Sequence, residues 1–305
     1  MPGSHKDFAF NTFLLLYYSQ ILGVRASYAS VVLAIALIVD AITDPMVGAY
    51  SDNFRSRLGR RHPFMYAAAL PLGLFMFALF SPPAEAGDTL LLGWKLAFTL
   101  LVRVSFTFFV VPWNAVAAEF SSDYVERTSI ITFRYLVGWI GGVTFSFCMY
   151  SFIFAGNEEY PAGQLNPDNY PVFALVVASL IVTWCLLTTH LTRREVPYLL
   201  QPVQPTPRFN LKKLFADVVL ALTSRNFRLL FVCTLVFSGI AGIGGVFDIY
   251  MNTYFWEFKA SDLRWYGLTI FGAIAAFVTV PLLQRTFEKQ SILVVAIAIA
   301  CVLGI

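Results

Sequence analysis

Residues Asp40 to Pro63 read DAITDPMVGAYSDNFRSRLGRRHP. Two aspartates, Asp40 and Asp44, stand four residues apart near the middle of an apolar run, and the stretch ends in four arginines and a histidine. On an α-helix that spacing places both carboxylates on one face, a turn apart. Each carboxylate at membrane depth costs roughly 2.5–3.5 kcal/mol on the insertion scale, so such groups usually face a bundle interior or a water-filled cavity on an ion or substrate path. Oxygen ligands of this kind suit a hard cation such as sodium. Two close carboxylates can instead share a proton, because their repulsion raises one pKa. A third reading is a packing salt bridge with Arg134, which lies at nearly the depth of Asp44.

The rest of the chain supplies the membrane. Of its 305 residues 58% are hydrophobic and 13% charged, with mean hydropathy +0.70. These values give an all-α, polytopic membrane protein. Nine runs approach the 20 or so residues that a span requires: 7–23, 27–51, 63–82, 90–119, 128–155, 171–191, 228–255, 263–283 and 291–305. The first is short and the last has no polar flank, so a chain lacking a little at its start and several helices at its end is expected. Cys148, Cys185, Cys233 and Cys301 lie in apolar runs with no metal-ligand spacing and read as small buried hydrophobes. No nucleotide loop, catalytic triad order or metal signature is present, which argues against an enzyme, a cofactor or a nucleic-acid partner and leaves an ion gradient as the energy source.

Basic residues give the orientation. Fifteen fall in segments on the Arg60 side of the spans, and four, Arg25, Lys95, Lys259 and Arg264, on the other. By the positive-inside rule the N-terminus and the arginine cluster are cytoplasmic in a plasma (inner) membrane. After the sixth span Pro197, Pro202, Pro205 and Pro207 break the chain, and Asn210 can cap an amphipathic run, LKKLFADVVLAL. This predicts a six-helix bundle over 1–192, a linker over 193–226 and a partial second bundle over 227–305.

Four local matches then carry a resemblance: KDFAF at Lys6–Phe10, DAITDPMVG at Asp40–Gly48, VPWNAV at Val111–Val116 and ERTSIITFR at Glu126–Arg134. The chain resembles the major facilitator superfamily, and within it the glycoside-pentoside-hexuronide:cation symporters of the melibiose permease group, with about nine of the twelve helices. The resemblance implies a monomer that carries a sugar with a sodium ion or proton. It assigns coupling-cation binding to Asp40, Thr43, Asp44 and Thr107, and contacts with sugar hydroxyls to Lys6, Asp7 and Arg134. The family's helix 4 aspartate, two residues before its Pro-aromatic pair, is Val110 here. This departure bears on both sodium coupling and galactoside recognition.

Spacing adds two further groups. Arg103, Thr107 and Asn114 form a polar stripe on one helix face; a cavity-lining role for Arg103 and Asn114 would favour an anionic or differently hydroxylated glycoside, while the bland alternative has Arg103 snorkelling to the surface. The loop after the acid pair, with Gly48, Asp52, Gly59, Arg60 and Arg61, reads as a gate rather than a mere inner-leaflet anchor, since an anchor needs no such spacing. Gly138 and Gly142, with the glycines at 239–245, predict close helix packing, and Trp256 and Trp265 read as interface anchors. Two alternatives stay open: a lysolipid carrier on the same fold, and a non-transporting truncated membrane protein.

Overall fold

The computed structural model describes residues 2–83, 86–199, 210–283 and 286–303. Most of those residues are helical, with no strand among them. The helices are α1 (Pro2–Phe8, running on through π-helical turns Ala9–Leu14 and Tyr17–Ile21), α2 (Ala26–Asn53), α3 (His62–Leu79), α4 (Asp88–Glu119) and α5 (Tyr124–Cys148). They continue with α6 (Asn169–Thr192), α7 (Leu211–Thr223), α8 (Arg225–Tyr250), the short α9 (Ala260–Leu263), α10 (Thr269–Leu283) and α11 (Lys289–Leu303). Among the described residues six helical stretches, built on α2 to α6 and α8, are long and apolar enough to cross a membrane. The other three expected spans are helical too, but α1 is interrupted by π turns, and α10 and α11 have 15 residues each. Of the segment between the sixth and seventh spans, residues 200–209, including Pro202, Pro205 and Pro207, lie outside the described residues, as does Arg285. The amphipathic run after Asn210 is helical as anticipated, forming α7.

The core sits where α1, α3 and α6 meet the end of α5. Its centre is aromatic: the Phe13 ring lies 4.6 Å from Phe154, and Tyr17 lies 4.3 Å from Tyr170. Aromatic pairs at such spacing add about 0.5–1.5 kcal/mol beyond the area they bury. Near Ser4 the Gly138/Gly142 face of α5 takes α1 closely: Ser4 Oγ donates to the Gly138 carbonyl at 2.8 Å, and a Cβ on Gly142 would lie 3.3 Å from that of Ser4. The α8 glycines differ from this expectation, because a Cβ on Gly239, Gly242, Gly244 or Gly245 would meet nothing within 4 Å. Helix α8 is instead held at its far end, where Tyr250 shares a 2.8 Å hydrogen bond with Ser19 and the Tyr254 hydroxyl donates to Gln20 at 2.8 Å.

Two other expectations change. Lys95 is not a loop residue: it lies within α4 with no exposed surface, its Nζ 4.9 Å from the Tyr18 ring. The carbonyls ending α3 take hydrogen bonds beside it, Leu79 from Tyr18 and Ala78 from Trp94. The Lys95 Nζ itself has no hydrogen-bond partner, and the Tyr18 ring is the group that faces it. Cys185 is buried as expected, whereas Cys233 is exposed. Trp256 and Trp265 are indeed exposed.

Candidate functional site

Helix α4 organises the polar groups. It packs against both α2 and α3, and the α2–α4 seam carries the acid pair. Arg103 donates through Nη1 to Asp40 Oδ2, and one turn on Thr107 Oγ1 donates to Asp44 Oδ1 at 2.7 Å. Arg103 and Asp40 side chains are 17% and 23% exposed, and Thr107 is buried. Asp40 and Asp44 therefore do share the face that their spacing predicts, and α4 meets each of them with a different group. Arg103 does not snorkel. Pro45 follows directly and has no N–H to donate to the turn before it. Thr43 is the loosest of the four proposed ligands, its hydroxyl 3.5 Å from the Asp40 carbonyl.

The salt bridge considered between Arg134 and the α2 acids is not formed. Arg134 Nη2 donates to Asn114 Oδ1 at 2.5 Å, and its guanidinium carbon lies 3.9 Å from the Trp113 ring centroid. The three-residue stripe on α4 is thus split: Arg103 and Thr107 serve α2, while Asn114 serves α5. A hollow of about 280 Å³ lies here, lined by Trp113, Phe133, Arg134, Trp184 and Thr188 among others. It offers a planar donor fork beside an aromatic face. On α1, Lys6 is buried, pairs with the exposed Asp7 at 2.7 Å, and places its Nζ 4.3 Å from Phe106 and 5.5 Å from Phe10. Phe10 also lies 5.7 Å from the Arg103 guanidinium, so one ring separates two cations. A groove of about 570 Å³ runs beside α2, lined by Thr43 and by apolar side chains such as Met46, Val47, Tyr50, Phe54 and Phe108.

Below the acids the loop after α2 is tied into a network. Arg61 Nη2 donates to Asp52 Oδ1 at 2.6 Å, and its Nη1 lies 2.8 Å from Glu119 Oε1, which also pairs with Arg60. Gly59 turns the loop at φ +82°, and a Cβ there would stand 2.9 Å from Val196 Cγ1. Gly48 carries no such demand, since a Cβ on it would sit at ordinary contact, 3.6 Å from Val111. Sequence reasoning missed Glu119 and Phe10. Glu119 had a signal, an acid at the last residue of α4 on the arginine side; Phe10 had none, because an aromatic in an apolar run looks like core.

A family model described as MFS/sugar transport protein matches residues 2–305. The chain belongs to the MFS/sugar transport family. It is 33% identical over 174 residues, 55% of this chain and 32% of the relative, to an uncharacterised symporter of Synechocystis. To the inner membrane symporter YicJ of Escherichia coli it is 26% identical over 79% of this chain and 53% of the relative. The corresponding values for the uncharacterised symporter YnaJ of Bacillus subtilis are 26%, 92% and 59%. The chain spans about a third to three fifths of the length of these relatives. Its relatives include symporters of the glycoside-pentoside-hexuronide type, in agreement with the four matches read from the sequence. Family membership and the apolar helices make this a multi-pass membrane protein of a transporter rather than an enzyme family.

Proposed function

We propose that the protein is a secondary transporter of the inner membrane, moving a glycoside or related sugar together with a sodium ion or proton. The observation that carries this reading is the pair of aspartates in mid-α2, each addressed separately from α4 by Arg103 and Thr107. Two carboxylates and one guanidinium leave one negative charge in the seam, on the exposed Asp44, where a soluble cation can reach it. One bound monovalent cation neutralises it. In this reading Asp40, Thr43, Asp44 and Thr107 hold the coupling ion, and Lys6, Asp7, Arg103, Asn114 and Arg134 line the sugar path. Arg134, stacked on Trp113, presents the fork and the aromatic face that sugars favour. The linkage of Asp52, Arg60, Arg61 and Glu119, turned at Gly59, then closes one end, with the N-terminus cytoplasmic. Residues 1–192 act as one bundle and 227–305 as part of a second, joined by the 193–226 linker. Transport follows by rocking about a central site, the ion favouring the state that binds sugar.

Relatives named for a glycoside or sugar and relatives named for a lysolipid both occur. An isoprimeverose transporter of Lactiplantibacillus pentosus is 25% identical over 47% of this chain, and the sodium-dependent lysophosphatidylcholine symporter 1 of Gallus gallus 31% over 44%. The apolar groove along α2 is the feature that suits the lipid reading. Uptake into membrane vesicles containing the protein tests the choice: gradient-driven accumulation of a labelled glycoside, undiminished by excess lysophosphatidylcholine, is expected. Lysolipid uptake insensitive to every glycoside tried would overturn the sugar reading.

A further inference from the structure

We propose that Arg103 sets the ion selectivity of the α2 acids: it is a cation carried by the protein that holds Asp40 and denies a soluble alkali ion the use of both carboxylates. This rests on the reading of Asp40 and Asp44 as the coupling site and narrows it: while Arg103 holds Asp40, the ion is left to Asp44 and Thr107. Arg103 Nη1 donates to Asp40 Oδ2, while Asp40 Oδ1 and Arg103 Nε are shielded from solvent without a partner of their own. The contact is therefore one-armed rather than the bidentate fork that arginine and carboxylate usually adopt. Its guanidinium is steadied from α1 by the Phe10 ring. Lys6, the other cation near that ring, is turned to Asp7.

A hard cation gathers several oxygens around itself. To be shared between Asp40 and Asp44 it must draw Asp40 away from Arg103, leaving a guanidinium that cannot give up its proton largely shielded beside an unmade pair. Without Asp40 the ion has Asp44, Thr107 and few other side-chain oxygens. A tethered group competes at the effective concentration its tether imposes, millimolar or higher, which any soluble ion must exceed. The acids thus keep room for one small positive charge at Asp44, while a two-carboxylate sodium cage is withheld.

Sodium itself is the probe. Purified protein is titrated with sodium chloride against choline chloride, following radiolabelled sodium binding and the thermal unfolding midpoint. Arg103→Gln is expected to tighten sodium binding by about tenfold or more. Arg103→Lys, which keeps a tethered cation, is expected to stay near the parent. Adding Asp44→Asn to Arg103→Gln should abolish the gain. Equal sodium affinity in parent and Arg103→Gln, or weaker binding in the variant, overturns the proposal. Should Arg103→Gln fail to fold, micromolar sodium binding by the parent overturns it alone, and weak binding upholds it. A gain that survives loss of both Asp40 and Asp44 places the ion elsewhere and overturns the coupling-site reading as well.

Discussion

Two charged clusters meet α4, and they differ in their arithmetic. The loop cluster sets Asp52 and Glu119 against Arg60 and Arg61, with Glu119 touching both arginines and Arg61 touching both acids. Two charges of each sign cancel there, and Arg61 is 8% exposed at its side chain. The seam cluster sets Asp40 and Asp44 against Arg103, with Thr107 supplying a neutral hydroxyl in the fourth place. A balanced, doubly linked network behaves as a clasp whose parts depend on one another. The unbalanced one invites a visitor of opposite sign. In the proposed reading, similar residue types, separated by one neutral substitution, serve closure in one place and occupancy in the other.

Breaking the clasp should cost the most. Arg61→Ala leaves Asp52 without its arginine and Glu119 with Arg60 alone, and roughly 2–3 kcal/mol of stability is expected to go with it; a clear fall in the thermal unfolding midpoint in detergent checks this, and an unchanged midpoint would mean that the clasp does not hold the fold. Gly59→Ala should cost roughly 1–2 kcal/mol, because the residue sits at positive φ with Val196 in the way. Pairing it with Val196→Ala is expected to recover only the steric part, leaving the backbone penalty. The smallest effect on stability should come from the seam: Asp44→Asn removes an excess charge and retains an acceptor for Thr107, so its unfolding free energy should stay within about 1 kcal/mol of the parent. A large loss there would mean that Asp44 is structural.

Much of this fold could be read from the chain because lipid imposes a strong and simple rule: apolar runs of sufficient length become helices. The α2 acids and the arginine loop were legible for the same reason, since charge at that depth is conspicuous. Partners were harder. Arg134 looked able to face the acids and Arg103 to line a cavity or snorkel, and only the packing of α4 on α2 assigns Arg103 to Asp40 and sends Arg134 to Asn114 and Trp113. Lys95 was misplaced because hydropathy sees a lysine near a span end as a loop residue, whereas the packing of α4 buries it with its Nζ facing the Tyr18 ring. The α8 glycines suggested a tight interface, yet no neighbour approaches them among the described residues. Small residues permit closeness without requiring it.

Accumulation of a labelled glycoside in vesicles, driven by an imposed sodium or proton gradient and compared between the parent and Asp44→Asn, tests the seam most directly. The account predicts that the variant, folded and inserted as well as the parent, lets sugar equilibrate but never concentrates it. Gradient-driven accumulation equal to that of the parent would contradict it.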